Sequence, residues 1–334
     1  MLNKIMKNYY SRLNVLYRAR WSRIGFVVLL LLLLVGSVSF LPGQPPLATF
    51  AVYTFDPYGN FKTRFAPFGL GTGQISPSKV AVDHNGNILV TDGAHGVVVI
   101  YDHYGNRKGQ FGTGHLGAPV GIVLTPAGQI LVSDFGGIVA RFDSLGTYLG
   151  QFSRGSTFWC PEGMALRSNG NILVTDYCNS QIVEFDGLGT LRSTFGTGWV
   201  FCPFDVAVRS NGDTYVADGC NDQQIQVFDL NGNHRLSFGT VGSGPGQLLA
   251  ASAVALTPNG NVLVADTYNS RMQEFDPYGN FLHLIFGNQP GPGQLSLPGG
   301  IAFQADGTII VTNVGCVINN NNGAKHNGFN FCDR

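Results

Sequence analysis

Residues 261–276 read Asn-Val-Leu-Val-Ala-Asp-Thr-Tyr-Asn-Ser-Arg-Met-Gln-Glu-Phe-Asp. Val262–Asp266 is a short apolar run closed by an acid, and a second run ends in Phe275-Asp276. Both have the length of a strand, and the polar link between them is too short for a helix. The first acid recurs along the chain as Asp92 (ILVTD), Asp134 (ILVSD), Asp176 (ILVTD), Asp218 (TYVAD) and Asp266 (VLVAD), with Asn313 (IIVTN) in sixth place. The aromatic-Asp pair recurs as Asp56, Asp102, Asp143, Asp186, Asp229 and Asp276. Six members in each series mean six repeats of about 44 residues, and a period of that size signals a repeat architecture.

Each repeat reads alike: a short apolar strand such as Val80-Ala81-Val82 or Val206-Ala207-Val208, preceded in most units by Pro, then a Gly turn such as Asn85-Gly86-Asn87. A second strand ends in the first acid, a third in Phe/Tyr-Asp, and a fourth, after another Gly turn, closes on Phe. Four strands joined by tight Asn/Asp-Gly hairpins at this period make a propeller blade. Phe55-Asp56-Pro57-Tyr58-Gly59-Asn60-Phe61 returns unchanged at Phe275–Phe281, which marks the units as duplicated. The chain enters its repeat at a third strand (Ala51–Asp56) and its last clear strand, Thr308–Asn313, is a second strand. The expected fold is therefore an all-β, six-bladed propeller over residues 50–313, whose last blade takes two strands from each end of the chain. Such closure removes open strand edges.

The N-terminus sets the expected address. Residues 1–23 carry six bases (Lys4, Lys7, Arg12, Arg18, Arg20, Arg23) and no acid, and Ile24–Leu41 is uncharged with six consecutive leucines at 29–34. Eighteen residues at 1.5 Å each span roughly 27 Å, enough for the hydrocarbon core of a bilayer. Charge ahead of the segment and none just after it puts residues 1–23 in the cytoplasm and the remainder outside. The expectation is one transmembrane helix over 24–41, a single-pass anchor in the cell membrane. The alternative is a cleaved signal peptide and secretion, with Ser37-Val38-Ser39 as the cleavage site. Residues 42–49 form a Pro-rich spacer and 314–334 an Asn-rich tail.

Composition agrees with a turn-rich globular body. Gly is 46 of 334 residues and charged residues 12%, while 44% hydrophobic residues supply a core and exclude disorder, collagen and coiled coil. Removing the six N-terminal bases from the 20 leaves 14 against 20 acids, a net charge near −6 for the exported part. No basic face is visible, so no nucleic-acid partner is expected. There is no Gly-x-Ser-x-Gly elbow, Walker loop or His-Glu-x-x-His motif.

The pattern of residues 261–276, with the linkers Gly244-Pro245-Gly246-Gln247-Leu248 and Gly291-Pro292-Gly293-Gln294-Leu295, resembles the NHL-repeat propellers. The resemblance covers roughly residues 50 to 313 and implies the fold far more than any function.

Strand order puts the loops between second and third strands, and between blades, on one rim, called the top below. Cys160 and Cys178 fall there in one blade, and Cys202 and Cys220 repeat the placement one blade later. In an exported protein these pairs read as disulfides, with Cys316 and Cys332 as a third. The segments around Phe158-Trp159-Cys160-Pro161 and Phe201-Cys202-Pro203 resemble the lyase domain of peptide-amidating enzymes, which carries zinc on three top-face histidines, one just ahead of such a Cys-Pro segment. Trp159 and Phe201 stand at the neighbouring positions, so that resemblance implies the disulfide frame and not the zinc.

Of the seven histidines only His95 and His115 fall in top loops. They are weak candidates for a metal, because a catalytic zinc wants three ligands. No cofactor is expected, zinc or calcium being the alternative. The recurring aspartates read as turn caps rather than catalysts. Function is instead sought where the repeat breaks. The residue just before the innermost strand reads Lys79, Gly121, Gly163, Asp205, Ala253 and Gly300, and one place earlier Glu162 stands among Ser78, Val120, Phe204, Ser252 and Gly299. Four small residues are expected to leave room in the channel, with Lys79 and Asp205 on opposite sides of it. Lys79, Glu162 and Asp205 are thus the candidate ligand-binding residues, with no catalytic residue named. Glu162-Gly163 is also faintly similar to the metal-holding Glu of lactonase-type propellers. The reading is a non-catalytic, monomeric binding module for a protein, peptide or glycan, tolerant of change at all three positions. The alternative is a metal-dependent lyase or lactonase with its site at the top of the channel.

Overall fold

The computed structural model describes residues 50–69, 73–153, 159–220, 223–286 and 292–313, together with the pairs 325–326 and 329–330. The expected membrane helix at 24–41, the spacer, and Cys316 with Cys332 lie outside the described residues. Among the described residues no helix is long and apolar enough to cross a membrane. The described residues from 50 to 313 form one compact unit. In the other, Lys325–His326 pairs with Phe329–Asn330.

Six four-stranded antiparallel sheets make up the larger unit. Blade one is β3 (Pro77–Val82), β4 (Ile88–Asp92), β5 (Val97–Tyr101) and β6 (Arg107–Phe111). Blade two is β7 (Pro119–Leu124), β8 (Ile130–Asp134), β9 (Ile138–Phe142) and β10 (Tyr148–Phe152). Blade three is β11 (Pro161–Leu166), β12 (Ile172–Asp176), β13 (Gln181–Phe185) and β14 (Leu191–Phe195). Blade four is β15 (Pro203–Val208), β16 (Thr214–Asp218), β17 (Ile225–Phe228) and β18 (His234–Phe238). Blade five is β19 (Ala251–Leu256), β20 (Val262–Asp266), β21 (Arg271–Phe275) and β22 (Phe281–Phe286). The sixth sheet has the order β2-β1-β24-β23, joining β23 (Pro298–Phe303) and β24 (Ile309–Asn313) to β1 (Phe50–Phe55) and β2 (Phe61–Pro67). There β1 runs antiparallel to β24, with Val52 opposite Thr312 and Phe55 opposite Ile309.

The innermost strands touch in succession, β3 to β7 to β11 to β15 to β19 to β23, and β23 returns to β3. The ring closes because every second strand is buried along its whole length and needs a partner on both faces. Those strands are Val- and Ile-rich, as strands covered on both faces are. The core lies between blades: Ile88, Val90 and Val97 of blade one pack with Val52 and Ile310 of blade six.

The hairpin glycines of the Phe/Tyr-Asp turns are an inter-blade seat. Gly105 has φ +88°, and a Cβ there would come within 2.6 Å of the Phe65 ring on the previous blade's outer strand. Only Gly adopts that backbone without strain and admits the ring. The same seat joins Gly146 to Phe111, Gly189 to Phe152, Gly232 to Phe195 and Gly279 to Phe238.

Candidate functional site

The aspartates work as scaffolding in two different ways. Those of the Phe/Tyr-Asp pairs cap their own turns: Asp102 Oδ1 accepts the Tyr104 and Asn106 N–H groups at 2.9 and 2.8 Å. The other series ties the loop entering the blade to the second strand. Asp134 accepts from Gly117 and Ala118, and Asp218 from Phe201 and Cys202. Asn313 does the same for Ser296 and Leu297.

At the channel mouth the structure brings the candidates together. Lys79 Nζ reaches across the axis to Asp205 Oδ2 at 2.9 Å, and the pair is nearly buried. The ammonium also donates to the carbonyls of Ser252 at 2.6 Å and Gly299 at 3.2 Å. These two acceptors have a structural origin. In blade one the Thr91 hydroxyl accepts the Lys79 N–H at 2.9 Å and donates to Val120 O of the next blade at 2.7 Å. Ser133 links Gly121 N–H to Glu162 O, and Thr312 links Gly300 N–H to Ser78 O, in the same way. Thr175 bonds back to Gly163 O at 3.3 Å. The corresponding residues of blades four and five are Ala217 and Ala265, which have no hydroxyl. Their acceptors would be Ser252 O and Gly299 O, the two carbonyls that Lys79 serves.

Two sequence expectations are revised here. Lys79 is a structural closure of the ring as well as a mouth residue, so the fold is not indifferent to it. The small residues of its column do not open the channel. A Cβ at Gly163 would collide with Asp205, one at Gly121 with Glu162 O, and one at Gly300 would lie 2.8 Å from Lys79 Cα. They are small because the innermost strands of adjacent blades meet backbone to backbone. The channel holds a cavity of about 290 Å³ whose lining includes the ion pair itself and apolar residues such as Ile122, Met164, Val206 and Val254.

Glu162 is the third mouth residue. Its carboxyl makes no hydrogen bond or ion pair among the described residues, unlike Lys79 and Asp205. The residue is partly exposed, and the protein packed around its carboxyl still strips away much of its water. Burial pushes it up to about 8, with Asp205 adding to the rise and Lys79 opposing it. Burial also raises Asp205, against the pull of the Lys79 ammonium and its hydrogen bond.

The histidines do not converge. His95 Nδ1 lies 2.7 Å from Asp92 Oδ2. It takes the place that Asn179 and Asn269 hold against Asp176 and Asp266. His115 stacks on Tyr148 between blades one and two, at 3.9 Å and 11°. Among the described residues no group of three His, Cys, Asp or Glu side chains could hold a metal. At the mouth the Lys79 ammonium already occupies Asp205, so that donor set does not fit a divalent ion. Two disulfides, Cys160–Cys178 and Cys202–Cys220, each with Cα atoms 5.2 Å apart, brace the top of blades three and four. Sequence reasoning missed the top-face aromatics Phe135, Phe201 and Tyr268, which are 43%, 39% and 40% exposed. Phe135 and Tyr268 closely follow the repeated acids Asp134 and Asp266, and Phe201 directly precedes Cys202, which was their signal in the sequence.

A closed ring of six blades with a capped channel defines a six-bladed β-propeller. Residues 158–185 and 250–275 match the NHL repeat model, so these two stretches carry the NHL repeat pattern. No curated protein matches the sequence. Among solved structures the chain is similar to a streptogramin B lyase, at a TM-score of 0.57 and 12% identity over 72% of this chain and 91% of that one. It is similar to a catalytically inactive virginiamycin B lyase from Staphylococcus aureus with quinupristin, at 0.55 and 13% over 75% and 83%. A protein of unknown function from Bacteroides caccae aligns at 0.59 and 15% over 76% and 98%. At these identities the likeness is one of fold.

Proposed function

We propose that the protein is a membrane-anchored, extracytoplasmic NHL-repeat propeller that binds a peptide, protein or glycan through its top face without catalysing a reaction. The observation that carries this reading is the division of labour on that face. Lys79, Asp205 and His95 are engaged in closing the ring or holding loops, whereas the aromatics Phe135, Phe201 and Tyr268 are exposed and the Glu162 carboxyl keeps no hydrogen-bond partner among the described residues at the braced mouth. Exposed aromatic side chains beside a few polar groups are the composition of a recognition surface. The six bases before Ile24–Leu41 support the anchor and the outward placement of the propeller, and the disulfides suit an oxidising compartment.

The test is a screen of the full-length chain against peptide and glycan arrays, followed by Phe201→Ala. Hits weakened by this substitution support the reading, and a chain with no hits on either array refutes it. Protease added outside intact cells should digest the propeller, whereas protection of the propeller would remove the proposed topology.

A second reading, a lyase, is favoured by one observation: the top rim presents an imidazole oriented by a buried carboxylate, on a fold shared with streptogramin B lyases. Incubation with quinupristin decides against it if the compound is recovered intact, and in its favour if it is consumed and consumption stops with His95→Ala.

A further inference from the structure

Resting on the binding role proposed above, we infer that the channel mouth receives an organic ammonium group, its charge on the Glu162 carboxylate and its apolar part against the rings of Tyr177 and Phe204. Glu162 holds in β11 the register position that Phe204 holds in β15, so the two residues stand at equivalent places on the rim of adjacent blades. The Tyr177 ring lies 5.4 Å from that of Phe204, tilted by 41°. Phe204 in turn lies over Gly219, where any Cβ would strike its ring. Aromatic faces attract cations, most strongly where water is scarce.

Charge selects the same class. The charged groups facing Glu162 are Lys79 from β3 and Asp205 from β15. On β7 the neighbouring Val120 and Gly121 bring none, and on β12 the Asp176 carboxylate is taken up by the Cys160 N–H and the Asn179 and Gln181 amides. Lys79 and Asp205 neutralise one another at 2.9 Å. An ionised Glu162 therefore leaves the mouth with one uncompensated negative charge, and its complement is a monocation. A divalent metal would need further donors that the Lys79 contact withholds, whereas an ammonium needs only one carboxylate and supplies its own N–H donors.

Proton traffic follows. Burial holds Glu162 near 8, so at pH 7 the unliganded carboxyl is mostly protonated and must give up its proton when an ammonium docks. Binding then releases close to one proton at pH 7, and affinity rises about tenfold between pH 7 and pH 9.

The experiment is calorimetric titration of the full-length chain in mild detergent with 2-phenylethylamine, and with 2-phenylethanol as the neutral isostere, in buffers of different ionisation heat. The expected result is binding of the amine over the alcohol by tenfold or more, with the pH dependence and proton release above. Glu162→Gln should weaken the amine at least tenfold and flatten its pH profile while leaving thermal unfolding at pH 6 unchanged within a few degrees. Equal affinity for amine and alcohol, no binding of the amine, or amine binding indifferent to Glu162→Gln overturns the inference. A chain that ignores the amine yet captures array ligands through its top face loses this inference and keeps the binding role. One that captures neither loses both.

Discussion

The Lys79 ammonium donates at 2.6 Å to the carbonyl of Ser252, an acceptor that a hydroxyl at position 217 would otherwise serve. Blades one, two and six are latched to their successors by Thr91, Ser133 and Thr312, and blades four and five carry alanine at that place. One lysine from the far side of the channel supplies both missing bonds and neutralises Asp205 as well. The same side chain that plugs the channel thus completes the ring.

Lys79→Met should therefore destabilise the propeller by about 3 kcal/mol or more, because it strands a buried carboxylate and two carbonyls. Adding Ala217→Ser and Ala265→Ser should restore part of the loss, roughly 1 kcal/mol per hydroxyl, by rebuilding the latches found elsewhere in the ring. Urea unfolding of the single and triple variants measures both effects. A triple variant no more stable than Lys79→Met would sink the latch reading.

Stability should fall as pH rises through neutrality. The Glu162 carboxyl sits at about 8 in the folded protein against 4.5 when free. Its protonated form is favoured by folding, so the benefit is complete below about 4.5 and lost as pH climbs through 8. Asp205 is shifted in the same direction. Thermal midpoints should drop between pH 6 and pH 9, and Glu162→Gln, which cannot ionise, should show a shallower drop. Parallel profiles for the two proteins would mean that Glu162 is not the group responsible.

How much of this was legible in the sequence depends on the range of the interaction. The strands, the six repeats and the two cysteine pairs repeat a local pattern, so spacing alone located them. The reach of Lys79 to Asp205 spans 126 positions and depends on ring closure plus a long flexible side chain, so repeat counting placed the two residues on opposite sides of the axis without revealing that they touch. Gly121, Gly163 and Gly300 read as space in the channel because a single sequence does not say which neighbour a missing Cβ would strike. The alanines at 217 and 265 were visible as departures from Thr/Ser, but their meaning required the carbonyls they fail to serve.

Reduction should weaken the top of blades three and four. Each disulfide closes a loop of 18 residues' separation, which by loop closure is worth about 3 kcal/mol. Cys202→Ser with Cys220→Ser should lower the thermal midpoint by several degrees, and a reductant should lower that of the native chain further still. A midpoint unmoved by reductant would show that these bonds do not hold the fold.

His95 separates scaffold from chemistry. It stands where Asn179 and Asn269 stand, and like them it bonds the acid of its own blade, Asp92, which is almost fully buried. If that bond is its role, His95→Asn should preserve stability to within about 1 kcal/mol, whereas His95→Ala should cost about 1–3 kcal/mol by depriving a buried carboxylate of a donor. An imidazole that moves protons would behave otherwise, since asparagine keeps the hydrogen bond but cannot exchange a proton near neutral pH. Unfolding curves of the two variants, with quinupristin turnover measured alongside, distinguish the cases. Equal stability loss in both variants would remove the scaffold role, and a stable His95→Asn protein that has lost a turnover present in the native chain would establish the catalytic one.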